Sequence, residues 1–179
     1  MTQSVGKKSG TSCISYEFKK VTGQIVNFRQ IGSKMVGVGY STILLRDING
    51  AEYLLHNVQV SHSLDPFLRA AKGQITIAYL YGEGDGKNDK PFGCILALVT
   101  ADGKTHADIA LVYTFTRGMR AQVRLPYYDL LKGGVAACII MIGFPIVGYA
   151  VWCLLNLKTP VLTEDYARQE IKKLGVVVI

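Results

Sequence analysis

Residues 133–157, GGVAACIIMIGFPIVGYAVWCLLNL, run for 25 positions without a charged side chain, and no other feature limits so strongly what this chain can fold into. A bilayer core takes about 20 apolar residues as a helix, because each residue rises only about 1.5 Å and the backbone must satisfy its own hydrogen bonds in lipid. Eleven of the residues are Val, Ile, Leu or Phe, a gain on the order of −5 kcal/mol with no ionised group against it. The run therefore predicts a single transmembrane helix over 133–157, kinked where Pro145 lacks an N–H.

Five segments follow from this reading: a disordered N-terminus at 1–12, a β-barrel domain at 13–116, a basic juxtamembrane segment at 117–132, the span, and a C-terminal tail at 158–179. No apolar run follows Lys7 and Lys8, so no cleavable signal peptide is expected, and the N-terminal domain is expected in the cytoplasm with the tail across the membrane. Residues 1–132 carry 16 Lys or Arg against 10 Asp or Glu. That balance suits anionic headgroups or nucleic acid, and equally an ordinary Lys-rich surface. The four cysteines do not form a disulfide framework, since Cys138 and Cys153 stand far apart on one helix and Cys13 and Cys94 read as reduced thiols.

From Tyr16 to Phe115 short apolar stretches of period two alternate with turn residues, which predicts a mainly β domain. Strands are expected at 16–29, with a slip of register near Ile25, and at 35–46, where Gly37 and Gly39 permit curvature. Asn49-Gly50 predicts a type I′ hairpin into a third strand at 52–60. A short helix follows at 63–73, then strands at 74–81, 94–100 and 105–115. Three strands, a helix and further strands is the element order of the five-stranded Greek-key barrel called the OB-fold, and an SH3-like barrel leaves much the same pattern. In the tail, Thr163 as cap, acids first, bases last and a Gly175 stop predict a short helix.

Arg117, Arg120 and Arg124 are spaced to share one side of a helix, and Tyr127 and Tyr128 follow where an aromatic belt would sit. These five residues are the expected lipid-surface contact, with anionic headgroups as partner. Continuation of the last strand through the arginines is the alternative. Tyr40, Tyr53, Tyr79 and Tyr81 fall on strands and form a candidate ligand face for single-stranded nucleic acid or another protein. Gly133 to Ala137 and Gly134 to Cys138 space small residues four apart, as in helices that pair in membranes, so a homo-oligomer through the span is also expected.

Catalytic chemistry has little to rest on. His56, His62 and His106 have no companions at metal-ligand spacing, so neither metal nor cofactor is expected. Ser61, His62 and Asp65 crowd one turn, whereas a nucleophile, its base and an orienting acid must converge from separate positions. The loop 82–88 lacks the Ser or Thr after its lysine that a phosphate loop needs. The expected function is a non-enzymatic, single-pass membrane protein whose barrel is a binding or assembly module at the membrane surface. A membrane-tethered nucleic-acid-binding barrel is the alternative.

Overall fold

A strand of 21 residues, β2 (Ile14–Lys34), organises the molecule because its two halves pair with different neighbours. The computed structural model describes residues 3–5, 14–34, 36–84, 92–137, 143–156 and 162–178. The first half of β2, from Ile14 to Gln24, pairs antiparallel with β5 (Gln74–Gly84), and the second, from Gln24 to Lys34, with β3 (Gly37–Arg46). β3 pairs with β4 (Glu52–Val60), β4 runs parallel to β6 (Phe92–Val99), and β6 pairs with β5. The sheet so closes on itself as β2-β3-β4-β6-β5-β2, a five-stranded barrel with α1 (Asp65–Ala70) between its third and fourth strands. Two short strands extend it: β1 (Gln3–Val5), within the segment expected to be disordered, lies on β2, and β7 (Thr105–Ala107) on β6.

Bending β2 through both pairings requires slack, and the register slips between Ile25 and Asn27 supply it at the position that the change of apolar face indicates. The turn at Asn49-Gly50 differs from the expected type I′ form. Gly50 N donates to Asp47 O at 3.1 Å, and positive φ occurs at Gly50 (82°) but not at Asn49. This is a type I turn followed by a left-handed glycine, and Gly103 (φ 79°) repeats it after Thr100. Asp47 Oδ1 holds the first turn by accepting from Asn49 N and Ala51 N, both at 2.8 Å.

The barrel wall is buried on two sides, which explains why six of the eight residues of β6 are fully covered and why FGCILALV shows no alternation. Inside, Val21, Ile43, Leu45, Val60, Ile77 and Ile95 pack together, and Leu64 and Leu68 of the α1 region close the core. Outside, Phe18, Leu80, Cys94 and Leu96 are covered by Leu111, Val112 and Phe115 of α2 (Leu111–Ala137) and by Ala167, Ile171 and Leu174 of α4 (Glu164–Lys173), with Val176 after it. Residues 105–115, read as a strand, therefore become three residues of β7 and the first turn of a helix. Leu111, Val112 and Phe115 lie on one helical face, and packing against β6 overrides the strand preference of LVYTF.

The expected transmembrane helix over 133–157 is not formed. Residues 133–137 end α2, residues 138–142 lie outside the described residues, and residues 143–156 form α3 (Gly143–Asn156), which packs beside α2. Among the described residues no helix is long and apolar enough to cross a membrane. The reasons are in the residues: α3 has 14 residues, about 21 Å against a hydrocarbon core of about 30 Å, and α2 carries Arg117, Arg120, Arg124, Asp129 and Lys132. Pro145 is the third residue of α3 as described, and the residues before it that would decide the expected kink, 138–142, lie outside the described residues. Single-pass membrane placement and its sidedness fall with it. The tail, expected across a membrane from the barrel, instead docks on the barrel: Lys20 Nζ donates to Leu174 O, and Phe18 meets Tyr166 edge-on at 6.0 Å. Thr163 caps α4, its side chain accepting from Tyr166 N at 3.3 Å, and Gly175 (φ 77°) ends it, as its sequence indicates.

Candidate binding cleft of the barrel

The hairpin of β2 and β3 creates a cleft because three glycines stand where side chains would fill it. Gly32 pairs with Gly39 across the two strands, and register shifts either side of Gln30 leave Ile31 outside the ladder, 66% exposed. Asn57, Val58 and Gln59 of β4 and Phe92 of β6 complete the lining with Ser33, Gly37 and Tyr40, around a volume of about 310 Å³. Such a volume is at the lower end of ligand pockets, room for one or two side chains. Its lining comes from the first, second, third and fifth strands of the barrel.

Two backbone features are specific to this cleft. A Cβ on Gly37 would stand 2.2 Å from Val60 O, so the crossing of β3 over the end of β4 demands glycine. Asn57 has φ +48° in the middle of β4, a left-handed conformation that Asn tolerates better than most residues but that still stores strain, of a kind that gathers at functional positions. Phe92 ties the cleft to the outer layer, its ring 4.4 Å from that of Phe115.

The four tyrosines chosen from sequence are not brought together as one face. Tyr40 is wholly buried, its hydroxyl donating to Asp65, its ring edge-on to Phe28 at 5.6 Å and beneath the Arg69 guanidinium at 5.8 Å. Arg69 in turn donates to Asp65 Oδ2 and to Gln30 Oε1, both at 2.7 Å. Tyr53 donates to Asp47 Oδ2 at 3.4 Å. Tyr79 and Tyr81 do meet, lining a second groove of about 190 Å³ with Lys19, Leu54 and His56, where Lys19 Nζ lies 4.8 Å above the Tyr81 ring. Tyr79 is only 8% exposed, which leaves little of its ring for stacking.

The five residues expected to touch lipid all lie on α2, so the helical reading of the arginines replaces the strand alternative. Arg117 and Tyr128 are exposed, Arg124 and Tyr127 are half-buried, and the side chain of Arg120 lies outside the described residues. Ser61, His62 and Asp65 open α1 and form no catalytic array: Ser61 Oγ accepts from Leu64 N at 3.2 Å and meets Ser63 Oγ at 2.7 Å, while Asp65 serves Tyr40 and Arg69. Among the described residues no three metal-ligating side chains gather.

Burial pushes the Tyr79 phenol from 10 up to about 12, with Tyr81 and Glu17 adding to it, and burial likewise lifts Tyr16 to about 12, helped by Tyr166. Tyr40 is raised further by burial and then by its bond to Asp65. Because the folded-state values lie above the unfolded ones, this stability is complete below pH 10 and is lost as pH rises through 10 to 12. Absorbance titration at alkaline pH is expected to show these phenols ionising late and together with loss of structure. Titration of all tyrosines near pH 10 with the fold intact would contradict their burial.

Comparison with known families, curated proteins and solved structures gives no match for this chain.

Proposed function

We propose that the barrel is a non-catalytic binding module, and that the cleft between the β2–β3 hairpin and β4 receives an apolar side chain from an extended polypeptide segment. The observation that carries this reading is the lining itself. Ile31, Val58 and Phe92 give it apolar walls, Ser33, Asn57 and Gln59 give it a few neutral hydrogen-bonding groups, and Gly32, Gly37 and Gly39 open the strand backbone to close approach. Apolar walls with few polar groups are the usual make-up of a specific recognition pocket. Among the described lining residues the one titratable side chain is Tyr40, whose hydroxyl is committed to Asp65, which leaves no general acid or base there. Among the described lining residues there is no Lys or Arg, and phosphate recognition draws on cations.

Gly39→Val tests the reading without disturbing the fold, because the nearest atom to a Cβ there is Gly32 O at 3.7 Å, an ordinary contact, and Val suits a strand. Titration of the ¹⁵N-labelled protein with acetyl-trileucine amide is expected to shift the amides of Gly32, Gly39, Asn57 and Gln59, and Gly39→Val to weaken this at least tenfold. Shifts clustered elsewhere, or unchanged in the variant, would reject the cleft. Salt-sensitive binding of oligothymidylate at these amides would replace the peptide reading with a nucleic-acid one.

A further inference from the structure

Helix α3 has 14 residues and no charged side chain, yet it is covered on one side only. Ala150 and Cys153 are buried against the neighbouring helix, while Pro145, Gly148, Tyr149, Val151, Trp152 and Leu155 face outward, with Trp152 62% and Leu155 80% exposed. A helix apolar on all sides is one that something covers. We infer that α3 is the contact helix of a symmetric dimer, its occupant a second copy of the same helix running antiparallel across a two-fold axis.

The shape of the face selects this occupant. Trp152 and Gly148 are four residues apart and so lie one above the other, a large side chain beside a gap, since among the described residues nothing stands within 4 Å of the position that a Cβ on Gly148 would take. A two-fold axis between them sets each indole over the other copy's glycine, the self-complementarity that an isologous interface requires. Tyr149 stacks on Trp152 with ring centres 6.5 Å apart and planes 25° apart, which holds the indole in place before contact. With aromatic side chains of roughly 150–250 Å² each, the outward face of α3 offers on the order of 400 Å² of apolar surface, comparable to the largest patches monomers leave open. Two copies bury on the order of 800 Å² through α3 alone, the low end of weak, transient interfaces, in keeping with a dimer that dissociates on dilution. An uncharged face also offers no ionic feature by which an unrelated charged partner would be selected.

The full-length protein is expected to sediment at twice the chain mass at tens of micromolar and to dissociate on dilution. Gly148→Leu is the discriminating variant, because it improves helix propensity and meets open space in the monomer, yet fills the hole that the partner's indole needs. At least a tenfold weaker dimer with an unchanged melting curve is expected, and Trp152→Ala is expected to act in the same direction. A wild-type protein that stays monomeric at 100 µM, a Gly148→Leu dimer as tight as the wild type, or a chain that is monomeric only with detergent or lipid bound to α3 would each overturn the proposal.

Discussion

Phe18→Ala is expected to cost about 3–5 kcal/mol, the range for emptying a buried aromatic site, and to loosen α4 together with the barrel. Phe18 is 1% exposed on the outer side of β2, edge-on to Tyr16 at 6.4 Å and to Tyr166 at 6.0 Å, in the layer that also holds Leu80, Leu96 and Ile171. Its removal leaves a gap bounded by three elements that cannot collapse independently, since β2 is held by both β3 and β5. Ile171→Ala on the facing helix is expected to cost about 2–4 kcal/mol. Because the two side chains belong to one cluster, the double variant should fall short of the sum. Urea unfolding followed by circular dichroism checks this: a single transition shifted in both variants is expected, and additive costs with α4 melting separately would show that the helix is not part of the barrel's cooperative unit.

Gly37→Val is expected to be the most damaging change in the cleft, at or above the upper end of the about 1–3 kcal/mol that overpacking costs. The added Cβ has a carbonyl oxygen, Val60 O, at 2.2 Å, and that oxygen belongs to β4, which cannot retreat without breaking its pairing with β6. Gly39→Val, two residues along the same strand, meets only ordinary contact, so the two variants separate the fold's need for glycine from the ligand's. Thermal unfolding of both checks it. Equal destabilisation would mean that strand propensity rather than the crossing of β3 and β4 governs this hairpin.

Part of the barrel was legible in the chain where a turn signal or a half-buried strand left its mark: β4 occupies Glu52–Val60, as the Asn49-Gly50 turn before it indicates, and the slip at Ile25 is where the apolar face changes sides. What local pattern could not show is which apolar stretch meets which. LVYTF reads as strand from its residue types, and only the outer face of β6 makes it a helix start. The run 133–157 has the length of a span, but its residues are shared between α2 and α3, which pack on one another, and the docking of α4 on the barrel rests on contacts such as Lys20 with Leu174, 154 residues apart in sequence. The tyrosines misled for a related reason: an aromatic on a strand fits either face, and Tyr40 went inside. The cleft has a faint trace in the glycines at 37 and 39, which read as curvature alone when the β4 wall opposite them is unknown.

Cys94 offers the most direct test of a barrel clamped from outside by α2 and α4. It is 2% exposed beneath Leu111, Phe115 and Ile171, and burial, with a smaller push from Asp108, drives its thiol well above the ordinary range. Alkylation of the full-length protein with iodoacetamide, read on the Cys94 peptide by mass spectrometry, is expected to be at least a hundredfold slower than in urea, and to become fast when Ile171→Asp lifts α4 from the sheet. If Cys94 in the native wild-type chain reacts as quickly as an exposed thiol while the circular dichroism stays unchanged, α2 and α4 do not cover the sheet and the two-layered core described above is wrong.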